Sequence, residues 1–574
     1  MTKHISAGNN AGRTTQTAQV AQISAGDSLP HTTHPLTRRS FFKKTGALAG
    51  TIGTGLALSA TGTGALSTLT GCVSTNTSNT NTNTQAGHAI KGGTICAGVA
   101  YSSSDFNPIG MSSALAIAAN WHVLEGLYEL DFRTYNTYNA LAKAKPVKIS
   151  DTQYEVTLRD GAKFSDGKEV TSADIVNAFE RNMADDTYGP LLSFIQKVQA
   201  KNSKTTTFKL KYPFESLLEN RLSLVKIFPS DVNEESLKTN PIGTGPWMYD
   251  CVNGEEGGTI DFRHNDNYNG SYSPTAGWMC WNVYKSDSDA RVKALTKGTV
   301  HVIESVPDTS ADTLTQAGNT VEYVDGFSQA FLMFNTQKAP FDDTRVRQAF
   351  FYAIDTEKLI ANEMRGHANT VTSFLPSSHA NYHKAANVYT YNPARARELL
   401  EEAEVENLTF TLKCNNNWVS CLSDQVKADL EAVDMKCNVE IGAIQWDALA
   451  PSANVLPYDV CLTPGDPSCF GNDPDLLMSW WYGDNVWTRG RTCWKSAKAS
   501  RWSELSELMQ SARTSTGTAQ QEYWNKCFDL ISEEVPLYPL FHRKIATAWN
   551  PKKIADFRPI GMTGLVFIGS SCAE

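Results

Sequence analysis

The stretch "YEVTLRDGAKFSDGKEVTSADIVNAFER", Tyr154 to Arg181, carries two periodicities in succession. Tyr154, Val156 and Leu158 alternate with polar residues, the period of a half-buried strand. Asp160-Gly161 supplies a turn and Ala162 to Phe164 resumes the extended pattern, so a strand and hairpin are expected. Then the period changes. Thr171 and Asp174 stand three apart as a capping box, and Ile175, Val176, Phe179 and Met183 share one helical face. The same alternation of types recurs along the chain. "TTTFKLKY" alternates through Phe208, Leu210 and Tyr212. "FDDTRVRQAFFYAIDTEKLI" sets Val346, Ala349, Phe350, Ala353 and Ile354 at the spacing of a core-facing helix, whose Arg345 and Arg347 read as solvated. "YNPARARELLEEA" opens a helix with Asn392 as cap and Pro393 in its first turn. Strands and helices interleave from end to end, which predicts an α/β class rather than an all-α or all-β one.

The N-terminal region has a different character. After Lys44 no Asp, Glu, Lys or Arg occurs until Lys91, and Thr45 to Gly71 is long enough to cross about 30 Å of hydrocarbon. Its abundance of Gly and Thr leaves little favourable transfer energy, so it suits a leader better than a stable span. "TRRSFFKK", with Arg38 and Arg39, resembles a twin-arginine export signal. "LTGC" resembles a lipobox ending on Cys72, the expected site of lipidation. Residues 1–71 are therefore expected to be a cleaved lipoprotein leader and 72–88 a flexible Thr/Asn/Ser-rich tether. The alternative is an uncleaved signal anchor with a coincidental cysteine. Removing the leader takes six Lys/Arg and one Asp, leaving 45 basic against 59 acidic residues, a charge of −14. Such an acidic chain, with no basic stripe interleaved with aromatics, is not expected to bind nucleic acid.

The body exceeds the size of one core, so two or three packed units are expected. Eleven cysteines follow Cys72; none forms a CxxC pair, and no structural metal site or cofactor is expected. Disulfides are the default for an exported protein, and proximity suggests Cys251 with Cys280 and Cys414 with Cys421. An exported hydrolase is the rival class. It lacks support, because neither G-x-S-x-G nor H-E-x-x-H occurs, and His379 and His383 lie in an expected loop after Pro376. No catalytic residue is assigned. The "GTG" at Gly243 to Gly245 lacks the Lys-Ser/Thr of a phosphate loop and reads as a sharp turn where the chain crosses between lobes.

Five strings, in order, resemble the extracytoplasmic solute-binding proteins of family 5, the receptors of peptide and nickel ABC transporters. They are Tyr154 to Arg181, "PIGTGPW" (Pro241 to Trp247), "FLMFNTQKAPFDDTRVRQAFFYAID" (Phe331 to Asp355), the "PARARELLEEA" helix, and "EEVPLYPLF" (Glu533 to Phe541). The resemblance implies a two-lobed, periplasmic-binding-protein-like (type II) α/β fold that closes like a flytrap. It implies one lobe from about 89–121, 243–326 and 545–574, an inserted N-terminal subdomain at 122–242, and a second lobe at 327–544. It further implies an extended peptide held between the lobes, a permease with its ATPase as partner, a monomer, and attachment to the outer face of the cytoplasmic membrane or within a periplasm. Family members differ in cargo, so a nickel chelate, haem, an oligosaccharide or a signalling peptide stays open.

For the ligand site the resemblance implies Asp466 as the carboxylate that meets the peptide ammonium, with Asp473 in reserve. A loop aspartate capping a turn beside Pro467 is the plainer reading of Asp466. Trp446 aligns with an aromatic lining the side-chain pocket, and could equally be core. Asn415 to Trp418 and the loop Ser102 to Asn107, including Ser104 and Asn107, fall where cleft edges are expected. No arginine is assigned to a ligand carboxylate.

Overall fold

The computed structural model describes residues 88–285, 287–444, 456 and 458–574. The leader residues Arg38, Arg39 and Cys72, and the candidate Trp446, lie outside the described residues. Among the described residues no helix is long and apolar enough to cross a membrane.

Tyr154 and Val156 are buried in a strand at Gln153–Thr157, as their alternation predicts. The strand pairs with Thr205–Leu210, setting Tyr154 opposite Phe208. The expected hairpin is smaller than its sequence suggests. Gly161 takes φ of +70° at the turn, but the chain then folds on itself through a Lys163–Glu169 bridge instead of returning along Gln153–Thr157. With Val147–Ser150 and Ile195–Ala200 these strands make a four-stranded antiparallel sheet. Helix α1 (Ser172–Met183) follows, with the Thr171 amide donating to Asp174 Oδ2 at 2.9 Å and Ile175 and Phe179 buried.

Two larger sheets organise the lobes. The first has seven strands drawn from three separated stretches. In spatial order they are Thr320–Val324, Ile545–Trp549, Val302–Ile303, Thr94–Val99, Trp278–Val283, Thr259–His264 and Trp247–Val252. The second has six: Ala368–Thr370, then β4 (Leu537–Arg543), β1 (Gln329–Phe334), β3 (Val460–Gly465), β2 (Thr409–Asn415) and Lys436–Gly442. The chain passes between the two sheets at residues 325–328 and again at Lys544. Every residue of β1 and of β4 is buried, as expected of strands covered on both faces.

Three expectations are corrected. Gly243 and Gly245 do not mark a crossing between lobes. A Cβ at Gly243 would lie 2.0 Å from the Val123 carbonyl oxygen and one at Gly245 2.5 Å from that of His122, so close backbone packing requires both glycines. Arg347, on α2 (Thr344–Ala353), is wholly buried, not solvated. It donates to Glu534 and to the carbonyls of Phe341 and Glu534, while burial lowers its pKa to about 10. The suggested disulfides do not form, and the described cysteines are free thiols. Cys251 and Cys280 both stand opposite Asp261, one strand apart on either side. That is about 10 Å, beyond the reach of an S–S bridge. Cys421 instead turns its thiol to the Trp418 carbonyl at 3.1 Å.

Candidate functional site

Because β2 and β3 run parallel while β1 runs antiparallel to β3 and β4, four strand ends meet at one edge of the six-stranded sheet. They are the carboxyl ends of β2, β3 and β4 and the start of β1. In open α/β sheets the crevice outside such carboxyl ends is where ligands bind, since the backbone there opens into loops.

Asp466 lies immediately after β3 and caps the short turn Pro467–Cys469. Its Oδ1 accepts from the Ser468 amide at 3.0 Å and from Ser468 Oγ at 2.5 Å. Its Oδ2 is shut off from solvent and makes no close hydrogen bond, although the Thr563 backbone lies near enough to the carboxylate to act on it. Burial pushes this carboxyl up to about 6, with the Ser468 bonds and the Thr563 backbone pulling the other way. Tyr135, from outside the six-stranded lobe, donates to Ser468 Oγ at 3.3 Å. Asp466 therefore both caps a turn and presents an unmatched oxygen where the lobes meet.

Asn415 ends β2 and donates to Thr463 Oγ1 at 3.5 Å, and Trp418 opens the following turn. Asp466, Asn415 and Trp418 thus share one sheet edge. Ser104 is exposed, and Asn107 bonds within its own loop, accepting from Ile109. Just beyond that loop, Pro108 and Met111 join Trp121, Phe132, Tyr188 and Phe470 around a small cavity of about 40 Å³, which Glu129 and Lys226 also line. Phe470 links this cavity to the turn that Asp466 caps.

Asp473 has a different environment. It caps α3 (Pro474–Tyr482) through the Leu476 amide, and its Oδ1 lies 3.2 Å from Arg221. Arg221 also reaches Asp475 at 2.9 Å, and Asp475 pairs with Arg513 at 2.6 Å. Burial alone would raise Asp475, but Arg513 and Arg221 outweigh it and hold this carboxyl below its usual range. Asp473 rises, because burial and the neighbouring Asp475 outweigh Arg221. The network joins the segment carrying the four-stranded sheet to the six-stranded lobe.

Several site residues were not anticipated. Gln329 opens β1 opposite Gly465 and His542, wholly buried, with neither amide atom partnered. His542 beside it is buried, and burial lowers its pKa to about 4 against the pull of the Phe327 and Phe374 backbone, so the ring is neutral. Arg543 ends β4 with its guanidinium carbon 4.6 Å from the centre of the Trp418 ring. One signal was available in the sequence: "LYPLFHRKIATAW" interrupts an apolar, doubly buried strand with His542 and Arg543.

Two lobes built on separate sheets, joined by two short crossings and facing each other across buried, unpartnered polar groups, define a two-lobed ligand-binding protein. The chain matches the bacterial extracellular solute-binding proteins, family 5 (Middle), over residues 136–491, more than half its length, and belongs to that family. It is 24% identical over 489 residues to the glutathione-binding protein GsiB of Salmonella paratyphi A, covering 82% of this chain and 93% of that one. The fold superposes with TM-score 0.74 on the periplasmic binding protein DppA of Helicobacter pylori in complex with the peptide STSA, at 18% identity, covering 84% of this chain and 99% of that one. NikA of Staphylococcus aureus, in complex with Ni(L-His)2, gives a TM-score of 0.70 at 17% identity, covering 84% of this chain and all of that one.

Proposed function

We propose that this protein is the lipid-anchored extracytoplasmic receptor of an ABC importer, capturing di- or oligopeptides between its lobes and delivering them to a membrane permease. The observation that carries this reading is Asp466: a half-buried aspartate at the lobe junction whose Oδ2 is shut off from solvent without a close hydrogen bond. Such a group is costly to bury alone, and the ammonium of a ligand would supply the missing charge and donor. Backbone bonding along the edge of a sheet suits a peptide, because every peptide presents the same N–H and C=O pattern. The glutathione, STSA and Ni(L-His)2 of similar proteins all carry amino-acid carboxylates, which also keeps chelates within the candidate cargo. Closure follows as a population shift driven by contacts to both lobes. Cys72 with its tether would hold the receptor near the permease while leaving the lobes free to close. The protein works by binding and assigns no residue to catalysis.

The test is calorimetry with free and N-acetylated forms of one peptide against wild type and Asp466→Ala. The substitution should weaken the free-amine form far more than the acetylated one. Equal loss for both would reject the amine role.

A further inference from the structure

Two cysteines stand directly opposite each other on neighbouring strands of the seven-stranded sheet. Cys96, on Thr94–Val99, is the register partner of Cys280, on Trp278–Val283, and the two strands run parallel. Ile95, Ala97, Met279 and Trp281 are buried, so the alternation along both strands turns Cys96 and Cys280 to the same face, where each is half-buried. Neighbouring strands lie about 4.7–4.9 Å apart, within the Cα separation of about 4.4–6.8 Å that a disulfide spans. Both thiols are free in this structure, so joining them is an oxidation.

Among the described strands no other two cysteines are register partners. Cys251 lies in the same row but beyond Asp261, two strands from Cys280. Cys572, on Ser571–Ala573, is near enough to Cys96 to act on its thiol, but it is buried, belongs to a different sheet, and packs its sulfur against Gly93, where a Cβ would lie 3.0 Å from it. The surroundings of the pair favour a bond over ionised sulfur. Burial and the Asp261 carboxylate push the Cys280 thiol up to about 12, and burial, Cys572 and Asp261 raise Cys96 as well. A disulfide carries no charge, so neither burial nor Asp261 opposes it. Disulfides persist outside the cytoplasm, where the extracellular solute-binding family works.

We propose that Cys96 and Cys280 are a redox site that closes to a disulfide and fastens the strand Thr94–Val99 to the strand Trp278–Val283. The oxidant is a small-molecule or protein disulfide. The Cys96 thiolate attacks one of its sulfurs, which forms a mixed disulfide and releases one thiol carrying the proton that Cys96 gave up. The Cys280 thiolate then attacks the Cys96 sulfur and releases the second thiol, which takes the proton of Cys280. Two protein thiols are thereby oxidised to one disulfide, and one oxidant disulfide is reduced to two thiols. The closed loop from Cys96 to Cys280 holds the whole four-stranded sheet, and constraining so long a loop in the unfolded chain raises stability.

The test treats the purified full chain with 2-hydroxyethyl disulfide, an uncharged oxidant, blocks the remaining thiols with N-ethylmaleimide, and maps linked peptides by mass spectrometry without reduction. Thermal unfolding is then followed for the oxidised protein, freed of oxidant, and for the dithiothreitol-reduced one. A peptide joining Cys96 to Cys280 should dominate the map, and the oxidised protein should unfold about 5 °C or more above the reduced one. Cys96→Ser and Cys280→Ser should each abolish the linked peptide and the difference in midpoint, whereas Cys251→Ser should leave both unchanged. Circular dichroism reports folding of the variants, and the map and midpoints of wild type need none of them. Cys96 and Cys280 both blocked by N-ethylmaleimide after oxidation, Cys96 joined to Cys572 instead, or equal midpoints for the oxidised and reduced protein would each overturn the proposal.

Discussion

Arg221 and Arg543 are the same residue type at similar burial, both near the meeting of the lobes, yet one is surrounded by carboxylates and the other by none. Arg221 joins Asp473, Asp475 and Arg513 in a network of ion pairs, although Arg221 Nε and Asp473 Oδ2 make no hydrogen bond, while Asp466 and Arg543 have no ion-pair partner among the described residues and Gln329 has neither amide atom bonded. The first arrangement contributes to holding the protein together, because removing any member strands another charge. The second costs stability, because polar atoms are buried there without a matching charge or hydrogen bond.

The largest effect should come from breaking the matched region. Arg221→Met strands Asp473 and Asp475, and chemical denaturation should show a loss of about 3–5 kcal/mol. An unchanged midpoint would mean that the two regions do not differ as described. In the unmatched region the sign reverses. Asp466→Asn should cost about 1.5–3 kcal/mol of affinity for a free-amine peptide, by calorimetry, without lowering ligand-free stability.

The two regions also respond oppositely to pH. Asp475 is held below its ordinary value, so its contribution to stability is present above about pH 4 and disappears as the pH falls further. Asp466 is raised to about 6, so the ligand-free protein loses stability as the pH rises through that value. Ammonium binding needs the ionised form, so affinity should fall about tenfold per pH unit below 6, a dependence that Asp466→Asn should abolish. The smallest effect concerns Gln329. Gln329→Leu removes two buried unmatched atoms and should raise ligand-free stability by about 1 kcal/mol in the same denaturation experiment, while weakening binding.

Much of the fold is legible in the sequence where one face of an element is wet. Tyr154 and Phe208 alternate with polar neighbours, and the helix at Thr344–Ala353 shows its apolar face, because solvent writes the other half of each pattern. The site is legible only in part. Asp466 can be found by its place in a recognisable loop, but whether its oxygens are matched depends on Ser468, Tyr135 and Thr563, the last almost a hundred residues away. Arg347 and Arg543 look alike in sequence as arginines beside apolar residues. Only packing gives one of them Glu534 and the other the ring of Trp418.

What the sequence determined by itself, then, was the class of fold and the family, since local period, caps and turns depend on neighbours a few residues away. What the tertiary structure decided was the fate of each buried charge. Whether a carboxylate or guanidinium is satisfied depends on partners brought together across sheets and lobes, and Coulomb and hydrogen-bond energies depend on distance in space, not along the chain.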